Sequence, residues 1–345
     1  MSRVMVAMSG GVDSSVAAAI MVQQGHDVVG VTLKLWGGES DSGCCSVSDV
    51  EDARRVADQL GIRHSVFNMV DSFNEHVVEM YVSSHMAGLT PNPCIECNRH
   101  LKFGDLMARL DRLGYDILAT GHHARIVEQQ DGPWLARGAD RMKDQSYVLS
   151  MLTRSQLGRI LLPIGEMSKD EVRRIASDMG LRTANKPDSL DVCFISSQKG
   201  RETFLADRVP IHSGKVVRVG SNEVIGEVPA IETVTIGQRR GVGVGGGARR
   251  SYVVSKDHSA GTVTVGSESD LLVENIPLEQ LAFRFDVPEP EELLQIQTAA
   301  HGRVSTAFLA ENSLYLSHPI RRVAPGQTVA FYRGDLVLGS GVVRS

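Results

Sequence analysis

Short apolar runs alternate with helical repeats over the first 120 residues. Val4 to Met8 is an apolar run of the length expected for a buried strand. Val12 to Gln24 carries small residues at helical spacing and stops at Gly25. Val28 to Leu35 predicts a second strand, Asp49 to Leu60 an amphipathic helix ended by Gly61, and His64 to Val70 a third strand. Phe73 to Met86 predicts a helix, and the punctuated stretch Gly88 to Cys97 a loop. Lys102 to Leu113 predicts a helix stopped by Gly114, and Ile117 to Thr120 a short strand. Such alternation predicts a mostly parallel sheet with helices on both faces. Beyond Phe204 glycine becomes frequent and short alternating runs appear: Gly214–Val219, Ser251–Ser255, Thr262–Val265, Ala299–Leu309 and Thr328–Tyr332. That texture is all-β.

A length of 345 residues agrees with two or three domains, at about 150 residues each. The texture change places boundaries after 204 and, at the linker-like Gly266–Asp270, after 270, giving domains 1–204, 205–270 and 271–345. With 36 basic and 41 acidic residues the net charge is −5, which excludes a uniformly basic nucleic-acid coat but leaves room for local basic patches. Five cysteines are too sparse for a disulfide scaffold. No apolar run reaches the roughly 20 residues of a membrane span, and the start lacks a signal-peptide core. A reducing cytoplasm is the expected location.

Ser9-Gly-Gly-Val-Asp-Ser-Ser15 follows the first strand and opens a helix. Two glycines let the backbone turn sharply and present N–H groups, and Ser14 and Ser15 add hydroxyls where a helix N-terminus favours phosphate. Asp13 would repel bare phosphate, so capping of the helix or handling of Mg2+ is expected of it. No Lys-Ser/Thr pair closes the loop, which separates it from a Walker A motif and gives it the form of the PP-loop of ATP pyrophosphatases. Gly241-Val-Gly-Val-Gly-Gly246 matches G-x-G-x-x-G, but it lies in the β-rich region with no helix after it, so it reads as a hairpin loop. Its neighbours Arg239, Arg240, Arg249 and Arg250, with Arg321 and Arg322, are suited to phosphate contacts.

Cys94 and Cys97 form one C-x-x-C, and a zinc site usually needs a second pair. Cys97 is placed near a helix N-terminus with Arg99 and Lys102 nearby, which favours a thiolate. Cys193 sits in a strand-like run, and Cys44 and Cys45 read as loop or packing residues.

Together these segments resemble a known family. Ser9-Gly-Gly-Val-Asp-Ser14, Thr90-Pro-Asn-Pro with Cys97-Asn98, Lys102-Phe103, Ala119-Thr-Gly-His122, Lys143-Asp-Gln-Ser-Tyr147, Asp191-Val-Cys-Phe-Ile195 and Thr235-Ile-Gly-Gln-Arg239 occur in the order seen in the tRNA-specific 2-thiouridylases. The resemblance runs from Met5 to about Val342. It implies an α/β N-terminal PP-loop domain of the adenine nucleotide alpha hydrolase type with a parallel sheet, a small central β-rich domain that contacts tRNA, and a C-terminal β-barrel.

The activity implied is ATP-dependent replacement of the C2 oxygen of the wobble uridine by sulfur, with release of AMP and pyrophosphate. By matched position, Ala7, Met8, Ser9, Gly10, Gly11, Val12, Asp13 and Ser14 bind the ATP phosphates, and Leu33 and Gly121 line the adenosine pocket. Cys193 matches the persulfide carrier and Cys97 the second catalytic cysteine, the two forming a disulfide during turnover. His122, Lys143, Asp144, Gln145 and Gln327 match tRNA-contacting positions. The cofactor implied is ATP with Mg2+. The partners implied are the tRNA anticodon loop and a sulfur donor such as a cysteine desulfurase or sulfur-relay protein.

One position departs from the pattern. Some relatives carry an acid/base aspartate at position 94, where this chain has Cys94, and a thiol does not inherit that role. The change also creates a set of three, Cys94, Cys97 and Cys193, able in principle to hold a 4Fe–4S cluster with one open iron. Two other readings stay open: a PP-loop ligase or amidotransferase acting on a small metabolite, and a non-catalytic RNA-binding or iron–sulfur scaffold.

Overall fold

The structure is a computed structural model that describes residues 1–35, 46–188, 192–195, 200–243 and 250–345. Cys44, Cys45, Asp191, Arg249 and the end of the Gly241–Gly246 run lie outside the described residues. The chain divides into two units, one of Met1–Val78, Pro93–Ser197 and Gly334–Leu338, the other of Glu79–Asn92, Gln198–Arg333 and Gly339–Ser345.

In the first unit, β1 (Arg3–Ala7), β2 (Asp27–Lys34), β3 (Arg63–Asn68) and β4 (Ile117–Thr120) form a parallel sheet. A hairpin of β5 (Ala124–Gln129) and β6 (Gly132–Arg137) follows, and β7 (Ile160–Leu161) closes the sheet in the order β3-β2-β1-β4-β7. The order reverses between β1 and β4. In such sheets the crevice outside the carboxyl ends of the strands at that reversal is where ligands bind. Helix α1 (Val12–Gln23) buries Val16, Ala17, Ala18 and Met21. These alanines let it lie close to Val4 and Val6 of β1, while Val56 and Ala57 of α2 (Val47–Gln59) and Val172 and Ala176 of the Lys169–Asp178 helix join the same core. Ser46 with Asp49, and Ser168 with Glu171, form capping boxes that fix where the last two helices begin.

Two helical runs differ from expectation. The predicted Phe73–Met86 helix begins at Val70 and contains a π-helical stretch over Asn74–Glu79. The helix expected from Lys102 begins at Pro93, runs as a π-helix over Cys97–Asp105 and continues to Arg112. Proline suits the first helical position, where its missing N–H costs nothing. The Thr90-Pro-Asn-Pro signal therefore marks a helix start as well as a turn. Wide π turns often mark functional positions.

In the second unit, β8 (Gly214–Arg218), β9 (Val224–Val228), β10 (Tyr252–Asp257) and β11 (Thr262–Gly266) form a sheet ordered β10-β11-β8-β9 over a core of Val216, Val253, Val263 and Val265. Then β12 (Leu272–Phe283), β13 (Leu294–Gln297), β14 (Ser305–Ala310), β15 (Ser313–Arg321), β16 (Thr328–Arg333) and β17 (Leu336–Val343, of which 336–338 are grouped with the first unit) pair in the order β12-β15-β14-β13-β16-β17. Pairing of Leu278 with Val343 closes this barrel, which leaves no open edge. The strand expected from Ala299 begins at Ser305, because Ala299–Gly302 forms a turn held by Gln297 Nε2 on the Ala299 and Ala300 carbonyls at 2.9 Å. Gly266–Asp270 lies between β11 and β12: Gly266 ends β11 and Ser269–Leu271 is a 3-10 turn. No helix among the described residues is long and apolar enough to cross a membrane.

Candidate active site

The glycine loop lies at the carboxyl end of β1, at the reversal point of the sheet. Gly10 has φ +75°, a conformation that favours glycine, and a Cβ there would lie 2.2 Å from the Asp49 carbonyl oxygen. The main chain of the loop is thus pressed onto α2. Gly11 is the N-cap of α1 and offers no side-chain cap. Its carbonyl accepts from Ser14 Oγ at 3.2 Å and Ser15 Oγ at 2.8 Å, while Ser9 N–H donates to Ser14 Oγ at 3.1 Å. On the neighbouring strand, Gly121 follows β4, and a Cβ there would lie 2.6 Å from the Asp13 carbonyl carbon and from Ser14 N. Leu33, near the end of β2, is buried. The three segments expected to take the nucleotide are therefore gathered at one end of the sheet.

Asp13 does not cap α1, one of the two roles expected of it from the sequence. Its two carboxylate oxygens accept from Lys169 Nζ at 2.8 and 2.7 Å, and one also pairs with His123 Nε2 at 3.1 Å. Burial alone would raise its pKa, but the bonds from His123 and Lys169 hold the carboxyl below its ordinary value. A negative charge that would repel phosphate is thereby neutralised by a lysine from a distant helix. Lys169 also reaches Asp188 at 2.9 Å, and Asp188 takes Lys143 at 2.7 Å and Arg173 at 2.8 Å. Against the effect of burial, Lys143 and Lys169 bring the Asp188 carboxyl down to about 2. Lys186 Nζ donates to the Gly10 carbonyl at 3.0 Å and to Asp49 and Asp52 at 2.6 and 2.7 Å. The segment leading to Cys193 is thus tied to the glycine loop at two points, Lys186 and Asp188.

Cys94 is exposed, Cys97 buried and Cys193 half-buried. Because the helix starts at Pro93, Cys97 sits one turn in, at the start of the π-helical stretch, rather than at a helix N-terminus. Its neighbour Asn98 is buried and donates from Nδ2 to the Val148 carbonyl at 3.1 Å. Cys193 lies in a turn, not a strand, with Ile195 N–H on the Val192 carbonyl at 3.0 Å. Phe194 packs edge-on against the fully buried Phe73, ring centroids 5.6 Å apart. The Val70–Phe73 helix in turn lies against the Cys97–Asp105 stretch, with Ser72 Oγ on Asp105 at 2.5 Å. Both cysteine-bearing segments thus pack on one short helix. Among the described residues no three His, Cys, Asp or Glu side chains converge as a metal-binding group.

His122 is buried, its Nδ1 2.8 Å from Thr120 Oγ1, and burial, with Lys102 adding to it, pushes its pKa well below the ordinary value. Asp144 faces inward, accepting from Arg137 Nη1, the Gly138 and Ser146 N–H groups and Ser146 Oγ at 2.9–3.1 Å. Gln145 is bonded to the main chain of His123 on both sides, at 2.9 and 2.8 Å. These two residues hold the turn that presents Lys143. Gln327 belongs to the second unit, where its Nε2 donates to the Thr90 carbonyl at 2.7 Å. Sequence reasoning missed Lys169, Lys186 and Asp188. The Ser168–Glu171 capping box was a readable sign of the helix carrying Lys169, whereas nothing local marks the other two.

Comparison with known proteins adds the remaining evidence. Residues 2–197 match the tRNA methyl transferase HUP domain family, 202–267 the tRNA methyl transferase PRC-barrel domain and 297–343 the aminomethyltransferase beta-barrel domain. The tRNA-specific 2-thiouridylase MnmA of Mycolicibacterium smegmatis is 46% identical, covering 99% of each chain. The protein of the same name from Roseiflexus sp. is 41% identical, again over 99% of each. Among solved structures, a 4-thiouridine synthetase–RNA complex with bound ATP is 17% identical over 56% of this chain and 45% of its own, with a TM-score of 0.38. The U34-tRNA thiolase NcsA from Methanococcus maripaludis, with its [4Fe-4S] cluster, is 16% identical over 55% and 60%, with a TM-score of 0.37. With relatives this similar along its whole length, the chain belongs to the tRNA-specific 2-thiouridylase family.

Proposed function

We propose that this protein catalyses ATP-dependent 2-thiolation of the wobble uridine of tRNA, through adenylation and cysteine-borne sulfur. The observation that carries the reading is that one unit of the fold holds the glycine loop, its lysine-neutralised aspartate and both cysteine segments. In chemical terms, the uridine C2 oxygen attacks the α-phosphorus of ATP, the bond to the β-phosphate oxygen breaks and pyrophosphate leaves. The oxygen is now part of a good leaving group. A persulfide on Cys193, loaded by a sulfur donor, supplies the incoming sulfur; C2–S forms, C2–O breaks and AMP departs. Attack of the Cys97 thiolate on Cys193 Sγ cleaves the S–S bond, either before transfer, releasing hydrosulfide, or after it, releasing the thiocarbonyl. Both routes leave a Cys97–Cys193 disulfide that an external thiol must reduce.

The roles of the chain follow from its chemistry. Loop N–H groups from Gly10 to Ser14 receive phosphate oxygens, and Lys169 removes the repulsion of Asp13. Mg2+ enters with ATP; Asp13 already holds Lys169 and His123, so no protein ligand is assigned to it. Cys94 has no acid/base step assigned. Lys143, on the turn held by Asp144 and Gln145, meets the RNA, and His122 and Gln327 are assigned with it. Residues 1–204 carry the chemistry, while 205–270 and 271–345 support the RNA.

The test is a single-turnover assay with tRNA, ATP and a persulfide-generating desulfurase. Cys97→Ser and Cys193→Ser should each abolish 2-thiouridine formation, and the wild type should end with a disulfide between these residues by mass spectrometry. Thiolation by either variant at the wild-type rate refutes the reading, and AMP release without any tRNA requirement points to a ligase on a small metabolite.

A further inference from the structure

The second unit contains a basic cluster that none of these steps uses. Three successive main-chain carbonyls along the Ile231–Thr233 turn and Val234 each receive a basic side chain. His85 Nδ1 donates to the Glu232 carbonyl at 3.2 Å, Arg201 Nη2 to that of Thr233 at 2.8 Å and Lys256 Nζ to that of Val234 at 3.0 Å. His258, in the β10–β11 turn, lies against Gly88, where a Cβ would come within 2.8 Å of its ring. Basic residues from three distant segments thus gather here, His85, Arg201 and Lys256 on the turn itself and His258 beside them. The carboxylate among them, Glu232, is already engaged by His212, from Nδ1 at 2.8 Å and from its N–H at 3.1 Å. Asp257 is turned to its own loop, bonded to Ser259 and Ala260.

Carbonyl oxygens satisfy these donors but do not balance their charge, and uncompensated charge away from water is costly. Protonation reflects this. Burial, then Arg201, pushes His85 down to about 4, and the same two causes push Lys256 down to about 8. Burial and Lys256 push His258 down as well. Because His85 donates from Nδ1, its neutral ring leaves Nε2 as an acceptor. That atom and His258 Nε2 are both buried without a partner, and His85 is only 1% exposed. A role confined to packing would need neither the charges nor the vacant ring nitrogens.

We propose that Arg201, Lys256 and His258, backed by His85, bind a phosphate group, and that the backbone of bound RNA supplies it. A tetrahedral oxyanion can accept from Arg201 and Lys256 at once and leave an oxygen for protonated His258. The acceptor nitrogen of His85 suits a hydroxyl, which RNA carries beside each phosphate. The phosphate site stands on the cluster alone; RNA as its source rests on the proposed function.

The test uses the reactivity of Lys256 in the full-length protein. Acylation of lysines by an N-hydroxysuccinimide ester is followed by mass spectrometry across pH, alone and with ATP, inorganic phosphate or tRNA. Without ligand Lys256 should titrate near pH 8. Bound phosphate should move that midpoint up, slowing acylation at pH 7 about tenfold for each unit. tRNA should do so at micromolar and inorganic phosphate at millimolar concentration, with ATP alone inactive. Lys256→Gln should weaken tRNA binding and reduce the slope of log K against log salt by about one, with Lys256→Arg restoring both. An unmoved midpoint with phosphate and tRNA overturns the site. A shift with phosphate but not tRNA overturns the RNA assignment. A shift with tRNA in protein unable to thiolate supports the site and removes the function instead.

Discussion

Replacing Gly121 by alanine tests the nucleotide site with the smallest possible change. The added methyl would lie 2.6 Å from Asp13 C and Ser14 N and 2.8 Å from the Asp13 carbonyl oxygen, all backbone atoms of the first turn of α1. Carbon contacts are comfortable near 3.5 Å, so β4 and α1 must separate by about 1 Å. Overpacking of this kind costs about 1–3 kcal/mol. For a unit of this size that lowers the unfolding midpoint by about 2–10 °C. The greater effect falls on ATP. The displaced N–H groups are among those that the proposed function assigns to phosphate, and a charge-assisted hydrogen bond contributes about 1.5–3 kcal/mol. Losing one weakens binding about 10- to 100-fold. Gly25→Ala is the control: its φ of +77° makes it a strained site, but no atom lies within 4 Å of the new methyl. It should lose about 1 kcal/mol of stability and keep its ATP affinity. Calorimetric titration with ATP and thermal unfolding of both variants decide the matter. Wild-type ATP affinity in Gly121→Ala would refute the assignment of the nucleotide to this end of the sheet.

Three further outcomes are expected. The Asp188 carboxyl is lowered from 3.8 to about 2 in the folded state, so its stabilisation is complete above about pH 4 and disappears as pH falls through 2. In urea unfolding the gap between wild type and Asp188→Asn should therefore close over that window; a gap that persists at pH 2 contradicts the ion-pair account. Phe73→Ala removes a fully buried ring beneath Phe194 and should cost about 3–5 kcal/mol, while raising the alkylation rate of Cys193; an unchanged rate means that Phe73 does not hold the Cys193 turn. The net charge of −5 requires tRNA binding through local basic patches, so affinity should drop steeply with salt, and a flat dependence would remove that idea.

Much of this molecule was legible in its sequence because the signals were local. An apolar run, two glycines and two serines in order state that a strand turns into a helix, and Ser9 to Ser15 adopts that form. Period-two runs gave β8, β10, β11 and β16 nearly to the residue, since alternation is a property of neighbours. The order of short motifs identified the family. Local signals also misled: Asp191-Val-Cys-Phe-Ile reads as a strand, yet Cys193 lies in a turn whose Phe194 ring packs on Phe73.

What tertiary structure decided was long-range charge and contact. Asp13 reads as a helix cap until Lys169, from a helix 156 residues away, takes both its oxygens. Asp188 and Lys186 are ordinary polar residues in sequence and become ties between the glycine loop and the approach to Cys193. Local patterning fixes which face of a segment is buried, but the partner of a charge depends on how whole elements pack, and no neighbouring residue records it.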